Sequence, residues 1–191
     1  MNSRAQEMFA VMKSRRVARM FTDEPVDTES LELITKSARW ATSGGNRHIH
    51  KWLVIRDSEK IQLIRSFSPG MLVPPPAIIV VLTDLQKASE EELQMDNDYA
   101  NWVDVGTASM NMMNIVHALE LGACPVTSFS KSGVATVLDL PDHLIPELLI
   151  MVGHPVKPDR TSAHEAPKSA PKPIRARDLT YWEEIGNHDP K

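Results

Sequence analysis

The distribution of proline along the chain most constrains the fold. Residues 155–173 contain five prolines separated by Lys, Ser and Ala, a composition too polar to bury much surface and unsuited to a helix or a central strand. Residues 90–121 contain no proline and are apolar on more than one face, which predicts one or two helices, the second of them centrally buried. The prolines at 74–76 enforce an extended approach to a buried strand at 77–82. We therefore expect a folded body followed by an extended arm.

Helices and strands are predicted to follow one another through the folded body. Apolar spacing, capping residues and short apolar runs place helices at 3–13, 28–40, 58–67 and 132–138 and strands at 52–55, 125–127 and 148–152. Gly122 is expected to end the helical stretch before it in the left-handed conformation, which glycine adopts readily. The chain length predicts a single domain over residues 1–191, with residues 155–179 as an extended arm within it.

The composition excludes several kinds of partner. The 191 residues carry a formal net charge of -4 with a pI near 6.0, which argues against a general binder of nucleic acid or anionic membranes. The longest apolar stretch, residues 77–82, is far shorter than the ~20 residues of a membrane-spanning helix. Cys124 is the only cysteine, and the N-terminal residues lack the apolar run of a secretory signal. We therefore expect a soluble, cytoplasmic protein with no nucleic-acid or membrane partner.

Three arginines lie within five residues directly after the first predicted helix. Guanidinium groups are always charged and bind phosphate oxygens in a bidentate manner. Arg15 and Arg16 therefore suit a phosphate group, and Arg19, one turn further on, can reach another part of the same ligand. The alternative is a solvated basic turn, because short basic clusters are common on protein surfaces.

Other candidate sites are weaker. His48 and His50 have a spacing acceptable for two metal ligands, but no nearby Cys, Asp or Glu supplies a third, so we predict no metal site. Cys124 lies in an apolar stretch and is expected to be a buried thiol rather than a nucleophile. No Gly-x-Gly-x-x-Gly motif is present, so a nicotinamide dinucleotide is not expected to have a doubly wound site of its own.

Three separated segments carry a family resemblance. The first, at 15–21, reads Arg-Arg-Val-Ala-Arg-Met-Phe, and the second, at 38–48, reads Ala-Arg-Trp-Ala-Thr-Ser-Gly-Gly-Asn-Arg-His. The third begins at Asp-Val-Gly (104–106), continues through Gly-Ala-Cys-Pro-Val-Thr-Ser-Phe (122–129) and Leu-Asp-Leu-Pro (138–141), and ends at Val-Gly-His-Pro (152–155). In order and spacing these segments resemble the FMN-dependent nitroreductase family over about residues 10–180.

The resemblance implies an α+β fold with a mixed central sheet flanked by helices, in a homodimer that exchanges its C-terminal arms. It also implies bound FMN, with NAD(P)H as electron donor and a nitroaromatic, quinone or similar flat molecule as acceptor, in a ping-pong reaction. The flavin would carry the chemistry, so no catalytic side chain is expected. Two alternatives stay open: a family member with another reaction, such as reductive dehalogenation, flavin fragmentation or peptide dehydrogenation, and an FMN-binding protein without efficient turnover.

The resemblance further implies where individual residues lie around the flavin. Arg19 corresponds to a residue near the N1 and O2 edge, where a cation would stabilise the reduced state. The loop at 42–46 corresponds to one that reaches the flavin from the partner subunit, and the backbone amides at 127–128 correspond to those facing N5 and O4. The cofactor-binding positions implied in this way are Arg15, Arg16, Val17, Arg19, Thr42, Ser43, Gly44, Asn46, Thr127, Ser128, Arg175 and Arg177.

The chain also departs from the family pattern. Val17 stands where the family usually has Ser, and Thr42 stands where it usually has Pro. His48, Ile49 and His50 stand where Gln-Pro-Trp is common, so two imidazoles and a branched aliphatic side chain replace an amide, a rigid turn and a large aromatic ring.

Overall fold

A computed structural model describes residues 2–88, 99–156 and 179–185. The chain divides into two compact units, Met1–Val156 and Lys157–Lys191. Most of the predicted arm, together with Arg175 and Arg177, lies outside the described residues, so the arm and those two arginines stay predictions. None of the helices within the described ranges is long and apolar enough to cross a bilayer.

The first unit contains the helices and strands, and the predicted elements within the described residues are confirmed with ends that differ by a few residues. Residues 90–98 of the helical stretch predicted at 90–121 lie outside the described residues. In chain order they are α1 (Ser3–Ser14), α2 (Thr28–Ala38), β1 (His50–Ile55), α3 (Ser58–Ser66), β2 (Ala77–Asp84), α4 (Tyr99–Ala118), β3 (Gly122–Val126), α5 (Lys131–Val137) and β4 (Leu144–Gly153). Two 3-10 helices, Gly44–Asn46 and Leu85–Lys87, follow α2 and β2.

Side-chain caps fix the starts of α2, α3 and α5. The Asp27 carboxylate accepts a hydrogen bond from the Ser30 amide at 2.7 Å, and Asp57 accepts one from the Lys60 amide at 2.8 Å. The Ser130 hydroxyl caps α5 in the same way. Such caps satisfy amides that the first helical turn leaves without an intrahelical acceptor.

The four strands form one sheet in the order β1-β2-β4-β3, and every neighbouring pair is antiparallel. The expected α+β fold is confirmed. A mixed sheet was expected to contain parallel strand pairs. Within the described residues the only parallel pairing is an isolated bridge between Val17 and Ala123. This order makes β3 an edge strand, and segment 17–21 lies against its first residues.

Alternating side chains of the central strand β2 divide the core into two layers. On one face Ile79 packs with Ile34 of α2 and Met112 of α4. On the other face Ile78 packs in the cluster that includes Val134 of α5. These side chains are fully buried, and each contributes about 1.5–3 kcal/mol relative to an exposed position. The two layers hold the sheet rigidly, so the segments at its strand ends are well positioned.

The end of α4 differs from the expectation for Gly122. Glu120, not Gly122, adopts the left-handed conformation, with φ 59°. Gly122 is the first residue of β3, where a Cβ would lie 2.6 Å from the Cβ of Ala18. Glycine is therefore needed at 122 because segment 17–21 approaches closely, a long-range contact that local sequence does not reveal.

Candidate functional site

The first region of the candidate site is the β3 edge, which we define as segment 15–19 together with residues 127–128. Helix α1 ends at Ser14, and Arg15 follows in a non-helical conformation. The Ala18 amide then donates to the Ala123 carbonyl at 3.0 Å, next to the Val17 bridge. The predicted arginine cluster is thus attached to the edge strand instead of extending freely into solvent.

The three arginines of the β3 edge differ in their contacts. Arg16 Nη1 donates to the carbonyls of Lys13 and Arg15, each at 2.8 Å. The guanidinium groups of Arg15 and Arg19 form no hydrogen bond or ion pair within the described residues. Two cations at this edge are therefore available to an anionic ligand.

Burial raises the pKa of the Cys124 thiol, and the nearby charge of Arg19 opposes that rise.

Thr127 and Ser128 form an exposed turn directly after β3. The Ser128 carbonyl accepts a hydrogen bond from the Gly70 amide at 3.2 Å, and the Thr127 carbonyl accepts one from Phe129 at 3.1 Å. The backbone N–H groups of Thr127 and Ser128 have no acceptor among residues 2–88, 99–156 and 179–185. Two adjacent donors are therefore free on the same edge as the two free cations.

A loop at 67–71 fixes this turn from behind. The Ser130 amide donates to the Phe67 carbonyl at 2.8 Å, which adds a second backbone bond to that of Gly70. A Cβ on Gly70 would lie 2.9 Å from Cγ1 of Val126 and 3.3 Å from Cβ of Ser128. Only a residue without a side chain permits this approach. Sequence reasoning missed Gly70, because its partners lie more than fifty residues away.

The second region is loop 42–46, which follows α2 and contains the 3-10 helix Gly44–Asn46. The Gly44 amide donates to both carboxylate oxygens of Asp104 on α4, each at 3.0 Å. Gly45 and Asn46 adopt φ 59° and 55°, the left-handed region that Gly and Asn tolerate best. Asp104 is buried, so a charge-assisted hydrogen bond anchors the loop where water is excluded.

Further hydrogen bonds hold both ends of loop 42–46. The Thr107 hydroxyl donates to the Thr42 carbonyl at 3.2 Å, and Arg47 Nε donates to the Gly44 carbonyl at 2.8 Å. The Ser43 hydroxyl is buried without a partner among the described residues. An unpaired buried polar group costs about 1–3 kcal/mol, so a ligand with a polar group at this position would gain a hydrogen bond from Ser43.

A cavity of about 420 Å³ lies beside loop 42–46. Its lining combines small apolar side chains, an indole ring, polar groups of the loop and charged groups. These residues are Ala38, Arg39, Ala41, Thr42, Ser43, His48, His50, Trp52, Lys87, Asp104 and Ala108. Sequence reasoning named Thr42 and Ser43 among them but did not predict the cavity, because α2, β1 and α4 come together only in the fold.

His50 is a half-buried titratable group in the wall of this cavity. Burial lowers the pKa of its imidazole, while the charges of Asp104 and Glu147 act in the opposite direction. His50 Nδ1 lies 3.5 Å from the Thr83 hydroxyl, and Nε2 is buried with no partner among the described residues. His50 is therefore neutral at pH 7. The described ranges hold no group of three or more side chains able to bind a metal.

A chain of polar groups continues from His50 across the end of the sheet. The Thr83 hydroxyl donates to Asn101 Oδ1 at 3.0 Å, and Asn101 Nδ2 donates to Glu147 Oε1 at 3.3 Å. The other Glu147 oxygen accepts from Lys131, whose ammonium also lies 5.1 Å from the centre of the Trp102 ring. Glu147 is buried and paired, as a carboxylate in this setting requires.

No direct polar contact connects the β3 edge with loop 42–46 within the described residues. In the described part of the molecule no hydrogen bond, ion pair or bridge links segment 15–19 or residues 127–128 to loop 42–46. The structure thus brings Arg15, Arg19, Thr127 and Ser128 to one strand edge and places the loop residues elsewhere, against α4.

Comparison with known proteins identifies the family. Residues 12–96 and 70–154 match the nitroreductase family. The chain belongs to this family. A nitroreductase relative from Archaeoglobus fulgidus, whose name pairs NADH dehydrogenase with NAD(P)H nitroreductase, is 23% identical over 156 residues, 78% of this chain and 86% of that protein.

Two further proteins extend the nitroreductase comparison. A Bacillus subtilis protein named FMN reductase (NAD(P)H) is 24% identical over 164 residues, 78% of this chain and 66% of that protein. The crystal structure of a Desulfovibrio desulfuricans nitroreductase in complex with FMN is 26% identical, with a TM-score of 0.72 and coverage of 93% of this chain and 97% of that one. The nitroreductase fold expected from the sequence is confirmed.

Proposed function

We propose that this protein is an FMN-dependent oxidoreductase that uses NAD(P)H to reduce nitroaromatics, quinones or similar flat acceptors. The observation that carries the proposal is the β3 edge of this nitroreductase-family chain, where two guanidinium groups and two backbone amides have no partner among the described residues. When bound, FMN would accept a hydride from the donor and pass reducing equivalents to the acceptor after the oxidised donor has left.

The residues of the β3 edge fit the chemistry of FMN. Arg15 and Arg16 would hold the phosphate, whose charge of about -1.5 to -2 suits two guanidinium groups. The amides of Thr127 and Ser128 are free donors for the acceptor atoms of the isoalloxazine ring. Arg19 would lie at the pyrimidine edge, where a fixed cation stabilises the negative charge of the reduced ring. Arg175 and Arg177 would complete the phosphate site.

The separation of the two regions supports a homodimer. In the proposed assembly, loop 42–46 of one subunit contacts the flavin held by the β3 edge of the other, and the C-terminal arms exchange. Helix α1 favours a second copy independently, because none of its residues is buried in the single chain. Its side chains Met8 and Phe9 are 64% and 58% exposed, and an amphipathic helix this short needs packing to be stable.

Visible spectroscopy of the purified protein tests the proposal. We expect a yellow protein that binds FMN without a covalent bond, is bleached by NADH or NADPH, and regains its colour on addition of a nitroaromatic or quinone through many turnovers. A colourless protein that does not bind added FMN would overturn the proposal. FMN binding without repeated turnover with any donor and acceptor would instead indicate an FMN-binding protein.

Sedimentation of the flavin-loaded protein tests the assembly separately. We expect a dimer with two flavins at micromolar concentration, since obligate interfaces commonly bury more than ~2,000 Å². A flavin-loaded monomer at that concentration would contradict a site built from two chains.

A further inference from the structure

The cavity beside loop 42–46 has the size and shape of a small-molecule site. Its volume of about 420 Å³ lies within the range of ~300–1,000 Å³ typical of ligand pockets. The small side chains of Ala38, Ala41 and Ala108 leave room in the cavity, and Trp52 forms part of its wall. Such walls suit one flat aromatic ring.

Two cations lie at this cavity with little to neutralise them. The exposed Arg39 guanidinium forms no hydrogen bond or ion pair within the described residues. Among the described residues, Lys87 Nζ reaches only the His48 carbonyl, at 3.5 Å. Asp104 is the one acidic residue in the described lining, and both of its oxygens already accept the Gly44 amide. A ligand carboxylate would therefore find charge partners here that the protein does not use itself.

The inner wall adds polar groups without adding negative charge. The Ser43 hydroxyl and His50 Nε2 are both buried without partners in the described ranges. Burial lowers the pKa of His50, and Asp104 is the only acidic residue among the described residues that line the cavity. A polar substituent on the ring therefore matches this wall better than a hydrocarbon does.

We propose that this cavity binds the electron acceptor and selects flat acceptors that carry a carboxylate. The inference rests on the proposed function, in which loop 42–46 contacts the flavin, because Thr42 and Ser43 belong both to that loop and to the cavity wall. For a nitroarene the reaction balances as one nitroarene, one NAD(P)H and one proton giving one nitrosoarene, one NAD(P)⁺ and water. The carboxylate takes no part in the electron transfer and serves recognition alone.

The test compares two acceptors of nearly equal shape, 4-nitrobenzoate and 4-nitrobenzamide, with the FMN-loaded protein and saturating NAD(P)H. We expect Arg39→Gln to raise the KM for 4-nitrobenzoate about 5- to 20-fold, while the KM for 4-nitrobenzamide changes less than about 2-fold. Lys87→Gln should act in the same direction with a smaller effect. Arg56→Gln removes an exposed arginine that lines no part of this cavity and should leave both KM values unchanged.

Direct binding gives a second readout that does not need turnover. Benzoate added to the FMN-loaded protein should change tryptophan fluorescence through Trp52 and bind at least about 5-fold more tightly than benzamide, and Trp52→Phe should abolish most of the signal. Normal bleaching by NAD(P)H with equal KM values for both acceptors in wild type and Arg39→Gln would overturn this inference alone. Absence of flavin binding would overturn the proposed function, and the same benzoate and benzamide titrations of the flavin-free protein would still decide whether the cavity prefers a carboxylate.

Discussion

Loop 42–46 and the β3 edge differ in how far each satisfies its own polar groups. The loop directs its Gly44 amide into the Asp104 carboxylate and is further held by Thr107 and Arg47. The β3 edge leaves two guanidinium groups and two backbone amides without partners among the described residues.

This difference assigns different tasks to the two regions. A segment held by several internal hydrogen bonds, as loop 42–46 is despite the unpaired Ser43 hydroxyl, is rigid and can present a surface of fixed shape. A segment with free donors on a strand that is itself well packed is ready to bind an anionic, acceptor-rich ligand. The β3 edge is therefore expected to supply affinity for the cofactor, and loop 42–46 is expected to supply shape to the site of the partner subunit.

The largest expected effect is on the affinity for FMN, and it tests whether the β3 edge, rather than loop 42–46, binds the cofactor. Replacement of Arg15 by alanine should weaken FMN binding about 10- to 100-fold, since a charge-assisted contact contributes roughly 1.5–3 kcal/mol. Riboflavin, which lacks the phosphate, should bind equally to both proteins. Quenching of flavin fluorescence measures both affinities. Arg4→Ala, an exposed arginine in the first turn of α1, is the matched control, and an equal loss of riboflavin affinity in Arg15→Ala would show that no phosphate contact had been removed.

The anchoring of loop 42–46 predicts a loss of stability. Asp104→Ala removes the charged acceptor of the Gly44 amide, so the free energy of unfolding should fall by about 1.5–3 kcal/mol. Urea denaturation followed by circular dichroism measures this change. The exposed Asp142→Ala should have little effect, and identical curves for the two variants would mean that Asp104 does not anchor the loop.

The close approach at Gly70 predicts a loss of about 1–3 kcal/mol in Gly70→Ala, because the new methyl group overlaps Val126. Gly106→Ala adds the same group to α4 where no heavy atom lies within 4 Å, and should gain up to about 1 kcal/mol from helix propensity. Thermal unfolding of the two variants measures the difference. Addition of Val126→Ala to Gly70→Ala should cost less than the two separate losses combined, and strict additivity would argue against the overlap.

Arg19 should affect the redox potential more than the resting affinity. Because charge develops at the pyrimidine edge only on reduction, Arg19→Ala should retain most FMN affinity and lower the midpoint potential by about 30 mV for a loss of about 1.4 kcal/mol. Reduction by NAD(P)H should also slow. A redox titration decides the matter, since a surface arginine would leave both the potential and the rate unchanged.

The smallest expected effect concerns pH. Burial lowers the pKa of His50 in the folded protein, while in the unfolded chain it titrates near ~6.5. Between these two values the unfolded chain binds more protons, so the free energy of unfolding falls as the pH decreases below ~6.5. His50→Gln should reduce the difference in stability between pH 7.5 and pH 5.5, measured in urea. An unchanged difference in His50→Gln would show that burial of this imidazole does not contribute to the pH dependence.

The sequence predicted elements whose determinants are local. Asp27 and Asp57 were recognisable as helix caps because the amides they accept from lie three residues along the chain. Gly122 was assigned to a helix end, and its actual role depends on the approach of Ala18, more than a hundred residues earlier. Gly70 and the cavity went unnoticed for the same reason, since helical and strand periodicity carry no information on which distant segments meet.

For the candidate site as well, the sequence predicted what local residues determine and missed what depends on contacts between distant segments. The arginines at 15–19 were found from their chemistry and the family pattern, and residues 127–128 from the family pattern alone; the structure places segment 15–19 and residues 127–128 along the edge strand β3. Asp104 lay within a recognised motif, but its role as anchor of Gly44 required the fold. The cofactor roles assigned to these residues stay predictions, as do those of Arg175 and Arg177.

The arginine segment is tied to the sheet on both sides of Arg19. The Ala18 amide bonds to Ala123 at 3.0 Å, and the Met20 carbonyl accepts from the Val156 amide at 3.0 Å. The number of residues between these two ties is therefore fixed by the spacing of the strands. Inserted or deleted residues would displace the guanidinium without changing the charge of the protein, so during divergence or engineering this stretch should accept exchanges of side chain far more readily than any change of length.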